Sequence, residues 1–208
     1  YAGALTSVWA VGTGGTILRF DGSAWSPQPS GDTNFFKAIS GQGTSNIVAV
    51  SDAGWVTRYG SGGFSPLTKG NTSTVYCAWG TDSQNFWAVG DQGTVLRYQN
   101  GAISVEPTGT TRSLQGIWAA SPQAAYAVGT AGTVVRYDGT KWSLVNSGSA
   151  ANFYGVYGID ANNVWAVGDS GTILRSQNGM TFAAQTSGVT GELDSIYAAD
   201  ATHAWAVG

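Results

Sequence analysis

The chain has 208 residues, 42% hydrophobic and only 10% charged, with a net charge of −3 and nine lysines and arginines in all. That balance leaves no electrostatic footprint for nucleic acid, and low charge with abundant aromatics argues against disorder. No apolar run reaches the roughly 18 residues a membrane span needs, no signal peptide opens the chain, and a single cysteine, Cys77, excludes an intrachain disulfide.

Along the chain a Trp-Ala-Val-Gly segment or a close variant begins at Trp9, Val48, Trp87, Tyr126, Trp165 and Trp205, at intervals of 39 residues and, for the last, 40. A short unit repeated in tandem cannot bury its apolar face alone and must stack on its neighbours. Residues 1–31 predict strands B, C and D of a first unit. Residues 32–70, 71–109, 110–148 and 149–188 each predict a complete unit of strands A to D, and residues 189–208 predict a closing A and B. In the third unit the strands are Val75–Trp79, Asn85–Val89, Thr94–Tyr98 and Ala102–Val105, all rich in β-branched or aromatic residues.

The punctuation repeats too. Each B–C turn carries a glycine (Gly15, Gly54, Gly93, Gly132, Gly171), and another follows strand D (Gly31, Gly70, Gly109, Gly148, Gly188). The C–D turns read Asp21-Gly22, Asn100-Gly101, Asp138-Gly139 and Asn178-Gly179, which are hairpin dipeptides. The extra residue of the last interval falls in that hairpin, within Ser176–Phe182.

Four antiparallel strands per roughly 40 residues, with both faces apolar, describe an all-β β-propeller blade. Five four-stranded blades use the strands most economically, with strand A near Ile196-Tyr197 completing the first blade beside Trp9. Tyr1–Gly12 also aligns with Tyr197–Gly208, so strand B is present twice. The alternatives are six or seven blades completed by further sequence or another chain, and the spare strand is a route to strand exchange in a homo-oligomer.

The segments WAVGDQGTVLRYQNG (Trp87–Gly101) and WAVGDSGTILRSQNG (Trp165–Gly179) resemble the bacterial propeller repeats grouped as sialidase-type (BNR) and Ycf48-like blades. The resemblance covers the whole chain and specifies fold better than activity. Ser176–Phe182 is a degenerate echo of the sialidase-type Asp-box, with Asn178 in place of the acid. Ycf48-like relatives imply a scaffold or assembly factor contacting a protein, and five-bladed lectins share the shape without sharing a motif visible here.

Repetition separates structural positions from functional ones. Arg19, Arg58, Arg97, Arg136 and Arg175 recur late in strand C and are assigned to the fold. The strand B aromatics Trp9, Trp87, Tyr126, Trp165 and Trp205 and the strand A aromatics Trp79, Trp118, Tyr157 and Tyr197 are assigned to the core. Cys77 falls in a register of small buried residues with Ala38, Gly116, Gly155 and Ser195. The lone His203 has no polar counterpart in other copies, and no zincin, P-loop or nucleophile-elbow motif occurs. No catalytic residue, metal site or cofactor is predicted.

Differences between copies point elsewhere. The D–A and B–C connections share one rim of a propeller, its conventional ligand-binding top. There the B–C turns carry Asp52, Asp91 and Asp169, and the early strand A position reads Lys37, Tyr76, Gln115, Tyr154 and Asp194. Trp55 stands where the other copies have Thr16, Thr94, Thr133 and Thr172, and beside Asp52 it would suit stacking on a sugar ring or anchoring a protein. These nine residues are the candidate ligand-binding set. The expected function is a non-catalytic binding propeller, secreted or on a bacterial cell surface, taking a glycan (lectin-like) or protein ligand. The alternatives are a Ycf48-like protein-interaction scaffold and an engineered or truncated repeat propeller without activity of its own.

Overall fold

A computed structural model describes every residue except 1, 5, 6, 43–45, 61, 70–72 and 83. Tyr1 of the duplicated end and Gly70 of the glycine series therefore lie outside the described residues. The fold is a β-propeller: five four-stranded antiparallel sheets and one two-stranded sheet follow one another along the chain. The first sheet is β1 (Ala2–Ala4), β2 (Ser7–Val11), β3 (Ile17–Phe20) and β4 (Trp25–Pro27), and the second is β5 (Phe36–Gln42), β6 (Asn46–Ser51), β7 (Trp55–Gly60) and β8 (Gly63–Lys69). The third comprises β9 (Val75–Asp82), β10 (Asn85–Gly90), β11 (Val95–Gln99) and β12 (Ala102–Glu106). The fourth comprises β13 (Leu114–Ser121), β14 (Ala124–Gly129), β15 (Val134–Tyr137) and β16 (Trp142–Val145). The fifth is β17 (Phe153–Gly158), β18 (Asn163–Gly168), β19 (Ile173–Gln177) and β20 (Phe182–Gln185), and β21 (Ser195–Ala198) with β22 (Ala204–Val207) makes the sixth. Sheet neighbours are always sequence neighbours, because a tight turn offers each strand the next one as its nearest partner.

The chain ends depart from expectation. Strand A of the first blade is β1, which pairs with β2 through Ala2↔Val8 and Ala4↔Ser7. Strand β21, expected beside Trp9, pairs instead with β22 through Ile196↔Ala206 and Tyr197↔Trp205, its one sheet partner among the described residues. Residues 1–31 thus contain four strands rather than three. Pairing across one short turn closes a small loop, whereas pairing first strand with last closes the largest loop the chain allows. Tyr197 and Trp205, expected in the core by repetition, are 54% and 57% exposed, because among the described residues no third strand pairs with β22.

The contacts divide the chain into two compact units. The first, Tyr1–Gly90 with Val95–Val105, holds the first three sheets. Trp9 and Ile17 pack on Phe36, Ile47 and Ala49 of the second sheet, with Tyr59 and Phe64 against them. Val48 and Val50, on the opposite face of β6, meet Val75, Phe86, Leu96 and Tyr98 of the third. Both faces of β6 are buried, so its apolar run is continuous instead of alternating. Cys77 of β9 is half-buried rather than fully enclosed.

The second unit, Asp91–Thr94 with Glu106–Gly208, holds the fourth, fifth and sixth sheets. Its strands A approach closely: a Cβ on Gly116 of β13 would lie 2.7 Å from the Tyr154 carbonyl oxygen of β17. Trp165 and Val167 then pack on Leu193, Ile196 and Ala198. At the B–C turn, Gly132 has φ +71°. Its N–H donates to the Ala151 carbonyl at 2.7 Å, and its own carbonyl accepts from Ser147 Oγ at 2.7 Å. A Cβ there would stand 1.9 Å from the Ser149 carbonyl oxygen, so only glycine lets this turn seat on the D–A connection.

The repeated arginines are structural, as expected. Arg19, Arg97, Arg136 and Arg175 face Trp9, Trp87, Tyr126 and Trp165 across the ladder. Their guanidinium carbons lie 5.5, 5.4, 5.9 and 4.7 Å from the ring centroids, within cation–π range. In the second blade Val48 occupies the aromatic position. Arg58 reaches instead to the third blade, where its Nη1 donates to the Tyr98 hydroxyl at 2.9 Å.

Candidate functional site

Within each blade the meander places the B–C turn and the D–A connection at the same edge of the sheet, so residues that vary between copies gather there. In the first unit this edge holds a cavity of about 290 Å³ between the first two blades, lined by Asp32, Asn34, Trp55, Val56, Thr57 and Pro66 among others. Thr133 turns its hydroxyl back onto the Thr130 carbonyl at 2.7 Å. Indole at the equivalent Trp55 cannot make that bond, and the ring stays 37% exposed at the start of β7. A register shift follows at once: Val56 pairs with Thr68 but Thr57 with Pro66. Pro66 brings no N–H to the ladder, a common cause of bulging at the rim of a sheet.

Asp32 anchors the opposite wall. Its Oδ1 accepts from the Asn34 N–H at 2.9 Å and from Asn34 Nδ2 at 2.6 Å, whereas its Oδ2 is buried without a hydrogen-bond partner. Thr57, 3% exposed, likewise has an unpartnered buried hydroxyl. Asp52, expected to flank Trp55, does not line the cavity. It is half-buried in the B–C turn, with its backbone N–H on the Phe35 carbonyl at 2.9 Å. Lys37 is exposed, its Nζ 4.0 Å from the Phe35 ring centroid. Tyr76 is half-buried on β9.

In the second unit three predicted residues come together with one that was not predicted. The Tyr154 hydroxyl donates to Asp169 Oδ1 at 2.7 Å, and the Asn152 N–H donates to Asp169 Oδ2 at 3.1 Å. The carboxylate acceptor pushes the Tyr154 phenol up to about 12, and the same bond holds Asp169 below the ordinary carboxylate range. Glu192 is raised, first by desolvation and then by Asp194 and Asp169 beside it. Asp91 accepts from Ser113 Oγ at 2.7 Å, and Gln115 is half-buried on β13. Among the described residues no group of three or more His, Cys, Asp and Glu side chains is placed to hold a metal. No described helix is long and apolar enough to cross a membrane. His203 is exposed and bonded to Asp200 of its own turn at 2.9 Å.

Sequence reasoning missed Asp32, Asn34, Thr57 and Glu192. Asp32 had a legible signal: the aligned D–A positions are Asn71, Thr110, Ser149 and Val189, so it is the only charged residue of its register. Thr57 had one too: the aligned strand C positions are Leu18, Leu96, Val135 and Leu174, so it is the one polar residue of its register.

No protein-family model matches the chain, and no curated protein does. Among solved structures the chain is similar to YCF48 from Cyanidioschyzon merolae, with a TM-score of 0.75, 16% identity, and coverage of 97% of this chain and 76% of that one. A structure of YCF48 bound to D1 peptide matches at a TM-score of 0.49 and 14% identity, covering 99% of this chain and 86% of that one. The first likeness is one of fold, the propeller.

Proposed function

We propose that this chain is a non-catalytic propeller that binds a protein, a scaffold or assembly factor of the Ycf48-like kind, through the edge carrying its D–A and B–C connections. The observation that carries this is a division of labour. The repeated arginines and most strand B aromatics are spent on one another inside the blades, and what varies between copies lies at the edge: Lys37, Asp52, Trp55, Asp91, Tyr154, Asp169 and Asp194. Aromatic and polar residues on the connections at a sheet edge, in each of the two units, suit protein recognition. The sequence resemblance to Ycf48-like blades favours the same class.

The test is capture on the immobilised chain. A single partner held at one-to-one stoichiometry, insensitive to free galactose or N-acetylglucosamine, and lost on combined Asp91→Ala, Tyr154→Ala and Asp169→Ala substitution is the expected result. Elution of the bound material by a free sugar replaces this reading with glycan recognition. Turnover of a sialoside replaces it with an enzyme.

A further inference from the structure

We propose that the cavity between the first two blades receives one cationic side chain, arginine or lysine, presented by a polypeptide partner; this rests on the protein-binding reading above and names what its edge would grip. Three features of the cavity select for such a group. Its one described charged residue is Asp32, and no described lysine or arginine lines it. One carboxylate oxygen is already engaged by Asn34, while Oδ2 is buried and meets no donor. A buried carboxylate oxygen without a donor carries an uncompensated desolvation cost, which an arriving N–H group relieves. Trp55 lines the same cavity, and an indole is the best aromatic surface for a cation.

The placement is built rather than incidental. Asp32 is held by the Ser30 hydroxyl, which donates to its carbonyl at 2.9 Å and accepts from its N–H at 3.2 Å. Trp55 pairs into the ladder at the start of β7, next to the register shift at Pro66. At about 290 Å³ the cavity sits at the small end of ligand pockets, matched to one side chain rather than a chain segment. A neutral sugar could stack on Trp55 but would leave the Asp32 charge uncompensated, so the observations favour the cation.

The probes are N-acetyl-arginine amide and N-acetyl-lysine amide, titrated into ¹⁵N-labelled protein with the Trp55 indole N–H followed by NMR. N-acetyl-citrulline amide, the neutral isostere of the arginine probe, and galactose are the controls. Both cations are expected to shift the Trp55 resonance saturably. Asp32→Asn and Trp55→Thr should each weaken binding at least tenfold, the latter read from the neighbouring Thr57 amide. Trp55→Thr restores the residue found in four other copies, and unchanged melting confirms its fold. An equal response to citrulline or galactose, or no saturable shift with either cation, overturns the proposal. A protein partner held equally well by wild type, Asp32→Asn and Trp55→Thr also overturns it, while leaving the protein-binding reading intact.

Discussion

Strand β2 near the start of the chain and β22 near its end are close copies in sequence, yet the fold treats them oppositely. Trp9 is 2% exposed. It lies under Arg19 at 5.5 Å and against Tyr59 and Phe64 at 4.8 and 5.7 Å, and its Nε1 donates to Ser7 Oγ at 3.1 Å. Trp205 is 57% exposed, touching Tyr197 at 6.3 Å and His203 at 6.4 Å. Beside β2 stand strands C and D and a neighbouring blade; beside β22 no third strand pairs among the described residues. The glycine that follows each Trp-Ala-Val reverses the order. A Cβ on Gly12 would meet only the Thr16 Cβ at 3.9 Å, whereas one on Gly208 would lie 1.9 Å from the Glu192 carbonyl oxygen. Each copy has the neighbours the other lacks, so burial of the repeated aromatic is conferred by the next strands and the next blade, not by the strand that bears it.

The sharpest way to break this comparison is to truncate both tryptophans. Trp9→Ala should cost about 3–5 kcal/mol, as loss of a fully buried aromatic does, and lower the melting midpoint by about 10 °C in a chain of this size. Trp205→Ala should cost under about 1 kcal/mol. Equal melting shifts for the two variants would remove the contrast. Next in size is the glycine pair. A Cβ at Gly168 would stand 1.8 Å from the Asn152 carbonyl oxygen, so Gly168→Ala should destabilise by about 2–3 kcal/mol through overpacking against backbone that cannot yield. Gly12→Ala, with open space, should stay within about 0.5 kcal/mol in urea denaturation.

These two pairs also mark what was legible in the sequence. The repeat located the strands of the third blade to within a few residues, because each is a short β-branched run between glycine turns. It also assigned the arginines correctly, since a charge repeated in register must serve something repeated. The ends were misread because periodicity identifies which strands are equivalent but not which will pair. The Trp55 cavity was half legible. Trp55 stood out against the threonine in the other copies, but its partner Asp32 lies on a connection 23 residues earlier, and only the folded hairpin brings the two together.

A smaller effect sharpens the comparison where an aromatic is missing altogether. Because Val48 offers Arg58 no ring, Arg58 bonds the Tyr98 hydroxyl of the next blade, tying two blades where the other four arginines stack on the ring across their own ladder. A double-mutant cycle on Arg58→Met and Tyr98→Phe should return a coupling of about 1 kcal/mol. Arg175→Met should cost no more than about 1 kcal/mol: it loses the stack on Trp165 at 4.7 Å but also removes a buried Nε that has no hydrogen-bond partner. A coupling near zero would mean that Arg58 holds its own blade as the others do.

The smallest expected effect lies in the hairpins that join strands C and D within the blades. Asp138 Oδ1 accepts from the Thr140 hydroxyl at 2.7 Å and from the N–H groups of Lys141 and Thr140 at 3.0 and 2.9 Å. These bonds, the hydroxyl foremost, lower its carboxyl from 3.8 to about 2. Asp21 is lowered to about 2 in the same way, chiefly by the Ala24 and Ser23 N–H groups. In the last hairpin Asn178 Oδ1 takes the same place, accepting from Met180 and Thr181 N–H at 2.8 and 2.9 Å with no proton to gain. Since the folded value lies below the unfolded one, the two aspartates contribute stability that is complete above about pH 4 and lost as pH falls towards about 2. Both carboxyls are exposed, so water and salt keep the contribution small. Melting temperature followed between about pH 5 and about pH 2 should therefore fall less steeply for the Asp21→Asn, Asp138→Asn double variant, with little change near pH 7. Superimposable acid limbs would mean that the turns are held by their glycines alone, and that the Asp-box echo at Asn178 lost nothing when it lost its acid.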